Sequence, residues 1–122
     1  MGADAGVDVN SVSATSLVGG DVVVAYASYV YKLDAITGTA LWRTAPTVSQ
    51  MLASPSISGA AGDQVVFEGD LSGYEYGFRL SDGTQLYQHK FGTNARILSS
   101  TAVSAGRAYL ATTNPGKIFA IG

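Results

Sequence analysis

Three stretches of the chain repeat one pattern, and this repetition limits the available folds more than any other feature. Each stretch has an apolar residue, a run of small hydroxyl-bearing residues, a second apolar residue and a turn that contains glycine. The stretches are VSATSLVGGD from Val12, LASPSISGAAGD from Leu52 and LSSTAVSAGR from Leu98, so they begin 40 and 46 residues apart. We therefore expect a fold in which one small unit is repeated.

Strand signals accompany every repeat. After each glycine-containing turn come two runs rich in β-branched and aromatic residues, a composition typical of strands. In the first two repeats a further strand follows a second turn, and matching positions keep a constant offset of 45. The matched pairs are Tyr31 with Tyr76, Gly38 with Gly83, and Trp42 with Tyr87. The third repeat reaches Gly122 before its fourth strand, so we expect it to be an incomplete unit.

Four short antiparallel strands every 40 to 45 residues, roughly, are typical of a β-propeller blade. The sequence therefore predicts an all-β fold of four-stranded antiparallel blades in about three repeats, as a partial propeller or a ring completed by other copies. A β-sandwich with evenly spaced turns is the alternative, but nothing in a sandwich requires its sequence to repeat. The predicted division is 1–10 as an N-terminal tail or closing strand, 11–47 as blade one, 48–93 as blade two and 94–122 as the incomplete blade three.

The composition excludes several classes of function. Of the 122 residues, 47% are hydrophobic and 13% charged, so the chain is too apolar to be disordered. Its net charge of -2, without clusters of one sign, argues against binding to nucleic acid or to an anionic membrane surface. The absence of cysteine excludes disulfides, thiolate metal ligands and a cysteine nucleophile. The N-terminus lacks the pattern of a signal peptide, and the longest apolar stretch, VVVAY, is too short to span a bilayer, so we expect a soluble chain.

The turn between the third and fourth strands of the first repeat is the most informative motif. In KLDAITGTALW, Asp34 and Thr37 can bond to nearby backbone N–H groups, and Gly38 can adopt the positive φ that closes a short loop. Trp42 follows on the outermost strand, where its large ring can cover the neighbouring blade. The predicted structural docking motif comprises Asp34, Thr37, Gly38, Trp42, Gly83 and Tyr87.

This motif resembles the PQQ-like propeller repeat, whose consensus is Ala-x-Asp-x-x-Thr-Gly-x-x-x-Trp. Residues 32–42 match four of its five defined positions and depart at Lys32, where the family prefers alanine. The second repeat keeps only Gly83 in strict form, with Tyr87 in place of the tryptophan. The resemblance covers nearly the whole chain and weakens toward its C-terminal end.

The resemblance implies three classes of function. Some members of the family are dehydrogenases that bind PQQ and calcium, others are non-enzymatic scaffolds such as the propeller lipoprotein of the outer-membrane barrel assembly machine, and others are extracytoplasmic sensor domains. The dehydrogenases use a vicinal cysteine pair that this chain lacks. We therefore expect a chain that is not an enzyme, holds no cofactor or metal, and serves as a protein-interaction or scaffold segment. The alternatives are a ligand-sensing domain of a larger receptor or kinase and a fragment of a PQQ-dependent dehydrogenase; the family resemblance favours a periplasmic or extracellular location.

Few residues suggest chemistry. His89 has no serine, aspartate or cysteine at a recognisable spacing, so we interpret it as a solvated residue of an outer strand. Glu68 and Asp70 lack the spacing of a calcium loop, so we interpret both as hairpin-turn residues. The weak candidates for contact with a partner are Arg96, Tyr26 and Tyr29.

Three units cannot close a propeller, because such rings have about four to eight blades. The first and third units would each leave one face uncovered, and the third would leave an open strand edge. Two copies would supply six blades. We therefore predict either self-association, most simply as a dimer, or a longer chain that supplies the remaining blades. We also predict that residues Gly6 to Asn10 pair with the strand from Lys117 to Ile121.

Overall fold

The chain folds into short β-strands. The computed structural model describes residues 12–16, 21–59, 62–92, 95–98, 100–104, 107–113 and 116–121, with residues 12–16 and 104 given by their backbone. Within these ranges the strands are β1 (Val12–Ser16), β2 (Asp21–Tyr26), β3 (Tyr29–Asp34), β4 (Ala40–Arg43), β5 (Ser56–Ser58), β6 (Val65–Gly69), β7 (Tyr74–Arg79), β8 (Gln85–Lys90), β9 (Ala102–Ser104), β10 (Arg107–Thr112) and β11 (Lys117–Ile121).

These strands form three open antiparallel sheets in which consecutive strands lie side by side. Sheet one has the order β1-β2-β3-β4, sheet two β5-β6-β7-β8, and sheet three β9-β10-β11. The predicted all-β fold of repeated antiparallel units is therefore confirmed. No helix in the described ranges is long and apolar enough to cross a membrane. The predicted closing strand, residues 6–10, lies outside the described part of the chain.

The repeat in the sequence is visible in the backbone hydrogen bonds of sheets one and two. In the β3–β4 turn the Gly38 N–H donates to the Asp34 carbonyl at 2.7 Å, and in the β7–β8 turn the Gly83 N–H donates to the Arg79 carbonyl at 2.7 Å. The strand register also shifts at equivalent points, between Lys32 and Leu33 in sheet one and between Gly77 and Phe78 in sheet two. The two sheets are thus built on the same local geometry.

A hydrophobic core joins sheets one and two. Because alternate residues of a strand point to opposite faces, each sheet can bury one apolar set against its neighbour. The fully buried members of this core are Val23, Ala25, Val30, Met51, Val66, Tyr76 and Phe78. Trp42, Ile57, Tyr74 and Leu80 pack against it and remain partly exposed.

The connector between β4 and β5, residues 44–55, is bonded to both sheets. The Met51 N–H donates to the Ala27 carbonyl of sheet one at 2.9 Å, and the side chain of Met51 is fully buried in the core. On the other side, the Leu71 N–H at the β6–β7 turn donates to the Gln50 carbonyl at 2.9 Å. The connector therefore acts as part of the packing between the sheets.

Sheet two also packs against sheet three. The Ile97 N–H donates to the Asp70 carbonyl at 3.0 Å, and the rings of Phe91 and Phe119 lie 4.8 Å apart. Buried apolar residues on the side of sheet three are Ala95, Ile97, Ala108 and Leu110. Because sheet two lies between two others, β7 is buried on both faces along most of its length.

Candidate interaction surface

The β3–β4 turn holds its shape through side-chain to backbone hydrogen bonds. Asp34 Oδ1 accepts from the Ile36 N–H at 2.9 Å and from the Thr37 N–H at 3.3 Å. Thr37 Oγ1 accepts from the Thr39 N–H at 3.3 Å. Gly38 has a φ of 75°, which favours glycine. These contacts direct the chain into β4.

Trp42 reaches from sheet one to the β7–β8 turn of sheet two. Its Nε1–H donates to the Leu80 carbonyl at 2.8 Å. Its ring lies on Gly83, where an added Cβ would be only 2.7 Å from Trp42 Cε3, and Gly83 has a φ of 78°. The structure thus brings together two residues of the predicted docking motif, one from each repeat. Tyr87 lies elsewhere, opposite Gly77 on β8.

A buried carboxylate ties the connector to sheet two. Asp70 Oδ2 accepts from the Tyr76 hydroxyl at 2.7 Å and from the Ser49 N–H at 3.2 Å, while Oδ1 accepts from two backbone N–H groups of the following residues at 2.9 and 3.0 Å. The Tyr76 oxygen accepts from the Val48 N–H at 2.9 Å. Burial raises the pKa of Tyr76, so its hydroxyl keeps the proton that it donates.

Two further carboxyl groups are buried in sheet two. They belong to Glu68 and Glu75. Glu68 lies within β6, so its interpretation as a hairpin-turn residue was wrong, whereas Asp70 does begin a turn. Burial raises the pKa of Glu68 well above its usual range, the charges of Glu75 and Asp70 raise it further, and neither oxygen of Glu68 has a partner among the described residues. Glu75 accepts a hydrogen bond from the Thr101 hydroxyl, and its burial raises its pKa to about 7. Among the described side chains, no three histidine or carboxyl groups are placed to hold a metal ion.

The structure separates the weak candidates for partner contact. Arg96 is exposed, and its backbone forms an isolated bridge with Thr113. Tyr26 and Tyr29 face each other across the β2–β3 hairpin of sheet one, and both are half-buried. His89 is exposed on β8, as expected for an outer strand.

Sheet one has an apolar face that the described chain leaves half-exposed. We call the side of a sheet that points toward the next sheet in the sequence its front face and the opposite side its back face. The front face of sheet one is buried through Val23, Ala25 and Val30, so the alternate residues of β2 and β3 form its back face. The back face of sheet one comprises Val22, Val24, Tyr26, Tyr29, Tyr31 and Leu33.

Aromatic and cationic contacts order this back face. The Arg43 guanidinium lies over the Tyr29 ring, 4.7 Å from its centroid, and the Tyr29 and Tyr31 rings are 6.2 Å apart. Tyr26 and Tyr29 were predicted from the sequence as contact residues, but the aliphatic members of the face were not. In β3 every second residue from Tyr29 is apolar, so alternation could have placed Leu33 on this face, whereas β2 is apolar at every position from Val22 to Tyr26 and gives no such signal.

Comparison with solved structures supports the same architecture. BamB from Moraxella catarrhalis is similar with a TM-score of 0.68 and 23% sequence identity, over 86% of this chain and 31% of that chain. The computationally designed Ika4 protein is similar with a TM-score of 0.69 and 15% identity, over 90% of this chain and 64% of that one. The computationally designed Ika8 protein is similar with a TM-score of 0.68 and 16% identity, over 90% of this chain and 33% of that one. No family model and no curated protein matches the chain.

The chain thus spans about a third of BamB and of Ika8 and slightly under two thirds of Ika4. At these identities the likeness shows the fold alone. The chain has the fold of a β-propeller segment, with three open antiparallel sheets that stack face to face.

Proposed function

We propose that the chain is a non-catalytic β-propeller segment, related to the PQQ-like repeats, that serves as a protein-interaction or scaffold module. Its units are residues 11–47, 48–93 and 94–122, and its binding surface is the back face of sheet one. One observation carries the proposal: a contiguous set of aromatic and β-branched side chains on a regular sheet is left half-exposed. Contiguous apolar patches of this kind mark protein interfaces more often than random surface.

The chemistry of the back face suits a protein partner. Tyrosine and arginine are enriched among the residues that dominate the energy of protein interfaces, and both contribute here. Tyrosine has few rotatable bonds, so its burial costs little conformational entropy. The contacts of Tyr29 with Arg43 and Tyr31 hold these side chains in one arrangement before any partner binds. A preordered aromatic surface binds with a smaller entropy loss than a mobile one.

Site-directed photo-crosslinking in cells that express the chain tests this function. The photoreactive residue p-benzoylphenylalanine replaces Tyr31 on the back face or, in the control, Ile36, which is 91% exposed on the β3–β4 turn. We expect a protein–protein adduct from position 31 and none from position 36. The absence of any adduct from position 31 would contradict the proposal, whereas the identity of the adduct does not affect it.

A ligand arm separates this function from the two alternatives. The purified chain is titrated with PQQ and calcium while its absorbance is followed, and it is heated with a panel of small ligands while its melting temperature is followed. We expect no spectral change and no rise in melting temperature. A stoichiometric spectral change would favour the dehydrogenase, and a dose-dependent stabilisation by one ligand would favour the sensor domain.

A further inference from the structure

We infer that a second copy of this chain covers the back face of sheet one with the front face of its own sheet three, so that two copies close one ring. The front face of sheet three comprises Tyr109, Ala111, Ile118 and Ala120, all exposed or half-exposed. The inference rests on the proposed function, since it names the partner of the same surface.

The contact between sheets one and two is the template for this interface. There, the front face of sheet one contributes the small side chains Val23, Ala25 and Val30, and the back face of sheet two contributes the larger Tyr76 and Phe78. All five side chains are buried. In this contact an aromatic back face packs on small aliphatic side chains of the front face, and Trp42 packs against the same core.

The back face of sheet one repeats the register of the back face of sheet two. Tyr31 and Leu33 stand 45 residues before Tyr76 and Phe78, and they occupy the same places in their strand pairs. The equivalent cross-strand pairs are Val22 with Leu33 and Val66 with Phe78, and Val24 with Tyr31 and Glu68 with Tyr76. Because valine replaces the buried glutamate, the back face of sheet one is the more apolar of the two and requires no polar partner at this position.

The front face of sheet three repeats the register of the front face of sheet one. Ala111 faces Ile118 across β10 and β11, as Ala25 faces Val30 across β2 and β3. Val30 is completely buried, whereas Ile118 is 80% exposed. An aliphatic side chain at a strand position that is buried in the equivalent sheet indicates a surface that accepts a further sheet.

The two faces carry different side chains, so a contact between them joins unlike surfaces. The back face of sheet one carries Tyr29, Tyr31 and Leu33, and the front face of sheet three carries Ala111 and Ala120 beside the larger Ile118 and Tyr109. Copies that join through two different faces form a closed ring if the rotation between them closes, and an open filament if it does not. Two copies supply six sheets, within the range of about four to eight blades, whereas three supply nine.

Light scattering coupled to size-exclusion chromatography tests the inference with charged variants of the two faces. The wild-type protein in solution should have a molar mass of about twice the 12.5 kDa of one chain. Tyr31→Arg and Ile118→Glu, each alone, should weaken association by about 100-fold or more, because each places an unpaired charge in both contacts of the ring. A one-to-one mixture of the two variants should regain the dimer, since one contact is then wild-type and the other pairs opposite charges.

Ile36→Glu is the matched control, because it adds the same charge at an exposed position outside both faces and should leave the dimer unchanged. Circular dichroism of each variant should give the wild-type spectrum. The inference is overturned if the wild-type chain stays monomeric, if its mass grows with concentration past two copies, or if Ile118→Glu alone has no effect. It is equally overturned if the adduct formed at position 31 in cells contains a different protein, an outcome that leaves the proposed function standing.

Discussion

Trp42 is the residue at which the repeat in the sequence and the packing of the sheets meet. Its position is set by the Asp34 to Gly38 turn, and its ring lies on the turn that repeats the same geometry in sheet two. The side chain buries apolar surface and donates one hydrogen bond to a backbone carbonyl. An apolar replacement would leave that carbonyl without its donor.

Replacing Trp42 by alanine should lower the free energy of unfolding by about 2 to 4 kcal/mol, because the ring is partly rather than fully buried. Leu41→Ala is the matched control: this neighbour on β4 is 50% exposed and should cost under about 1 kcal/mol. Urea denaturation followed by far-ultraviolet circular dichroism measures both changes. Equal effects of the two substitutions would show that Trp42 does not join the sheets.

Glu75 should make stability fall as the pH rises from 5 to 8. Its pKa in the fold is raised to about 7, so the folded state favours the protonated form, and this contribution is complete below the unfolded pKa near 4.5 and lost as the pH rises through 7. Glu68, whose pKa is raised in the same direction, adds to the trend. From Glu75 alone we expect an unfolding free energy about 2 to 3 kcal/mol higher at pH 5 than at pH 8.

Glu75→Gln provides the control for this pH dependence. The amide oxygen can still accept from the Thr101 hydroxyl, but the side chain no longer titrates. Chemical denaturation of the variant at pH 5 and pH 8 should therefore show a smaller difference than the wild type, and the remainder comes from Glu68. A wild-type chain that becomes more stable between pH 5 and pH 8 would contradict the assignment of a raised pKa.

At the scale of elements, the strands and turns of sheets one and two follow from local sequence signals. Runs such as YVYKLD and YEYGFRL have strand composition, and the turns after them contain a glycine at matching positions. The structure shows the same backbone hydrogen bond at Gly38 and Gly83. The four-stranded meander could therefore be predicted, because it depends on contacts between neighbours in the sequence.

Because Trp42 packs on the β7–β8 turn, replacing Gly83 in that turn should destabilise the fold more than replacing a glycine that lies away from the indole. Gly83→Ala strains a φ of 78° and places a Cβ 2.7 Å from the indole, so we expect a loss of about 2 to 4 kcal/mol. Gly62→Ala has similar strain, with a φ of 93°, but no described atom lies within 4 Å of its Cβ, so it should cost about 1 kcal/mol.

Thermal or urea unfolding of the two glycine variants measures the difference between them. Adding Trp42→Ala to each completes a double-mutant cycle, which isolates the coupling between the two positions. We expect the excess cost of Gly83→Ala to vanish when the ring is removed. An excess that persists without Trp42 would mean that the turn itself, rather than its contact with sheet one, is perturbed.

Long-range burial was harder to predict than the strands. Alternation predicts which residues share a face but not whether another sheet covers that face, so the burial of Glu68 and Glu75 was missed. Met51 lies in a connector without strand signals, and its burial depends on sheets that are distant in the sequence. The motif residues Trp42 and Gly83 were identified because the repeat gives two copies of one local pattern to compare.

At the scale of the whole molecule, the described chain is a stack of three sheets with a partly exposed apolar face at each end. Sheet two shows what happens to such faces when neighbours are present, since β7 is buried on both sides. The chain spans about a third of BamB and slightly under two thirds of Ika4. The proposed ring joins the back face of sheet one to the front face of sheet three of the other copy.

Cysteine cross-linking tests this contact without interference from other thiols, because the native chain has no cysteine. One copy carries Tyr31→Cys, a second copy with a distinguishable mass carries Ile118→Cys, and Ile36→Cys replaces either in control mixtures. After mild oxidation, mass spectrometry should show disulfides between positions 31 and 118, and only background levels of 31–31, 118–118 or any pair with position 36. A product dominated by 31–31 or 118–118 links, or the absence of the 31–118 link, would show that these two faces do not pack on each other.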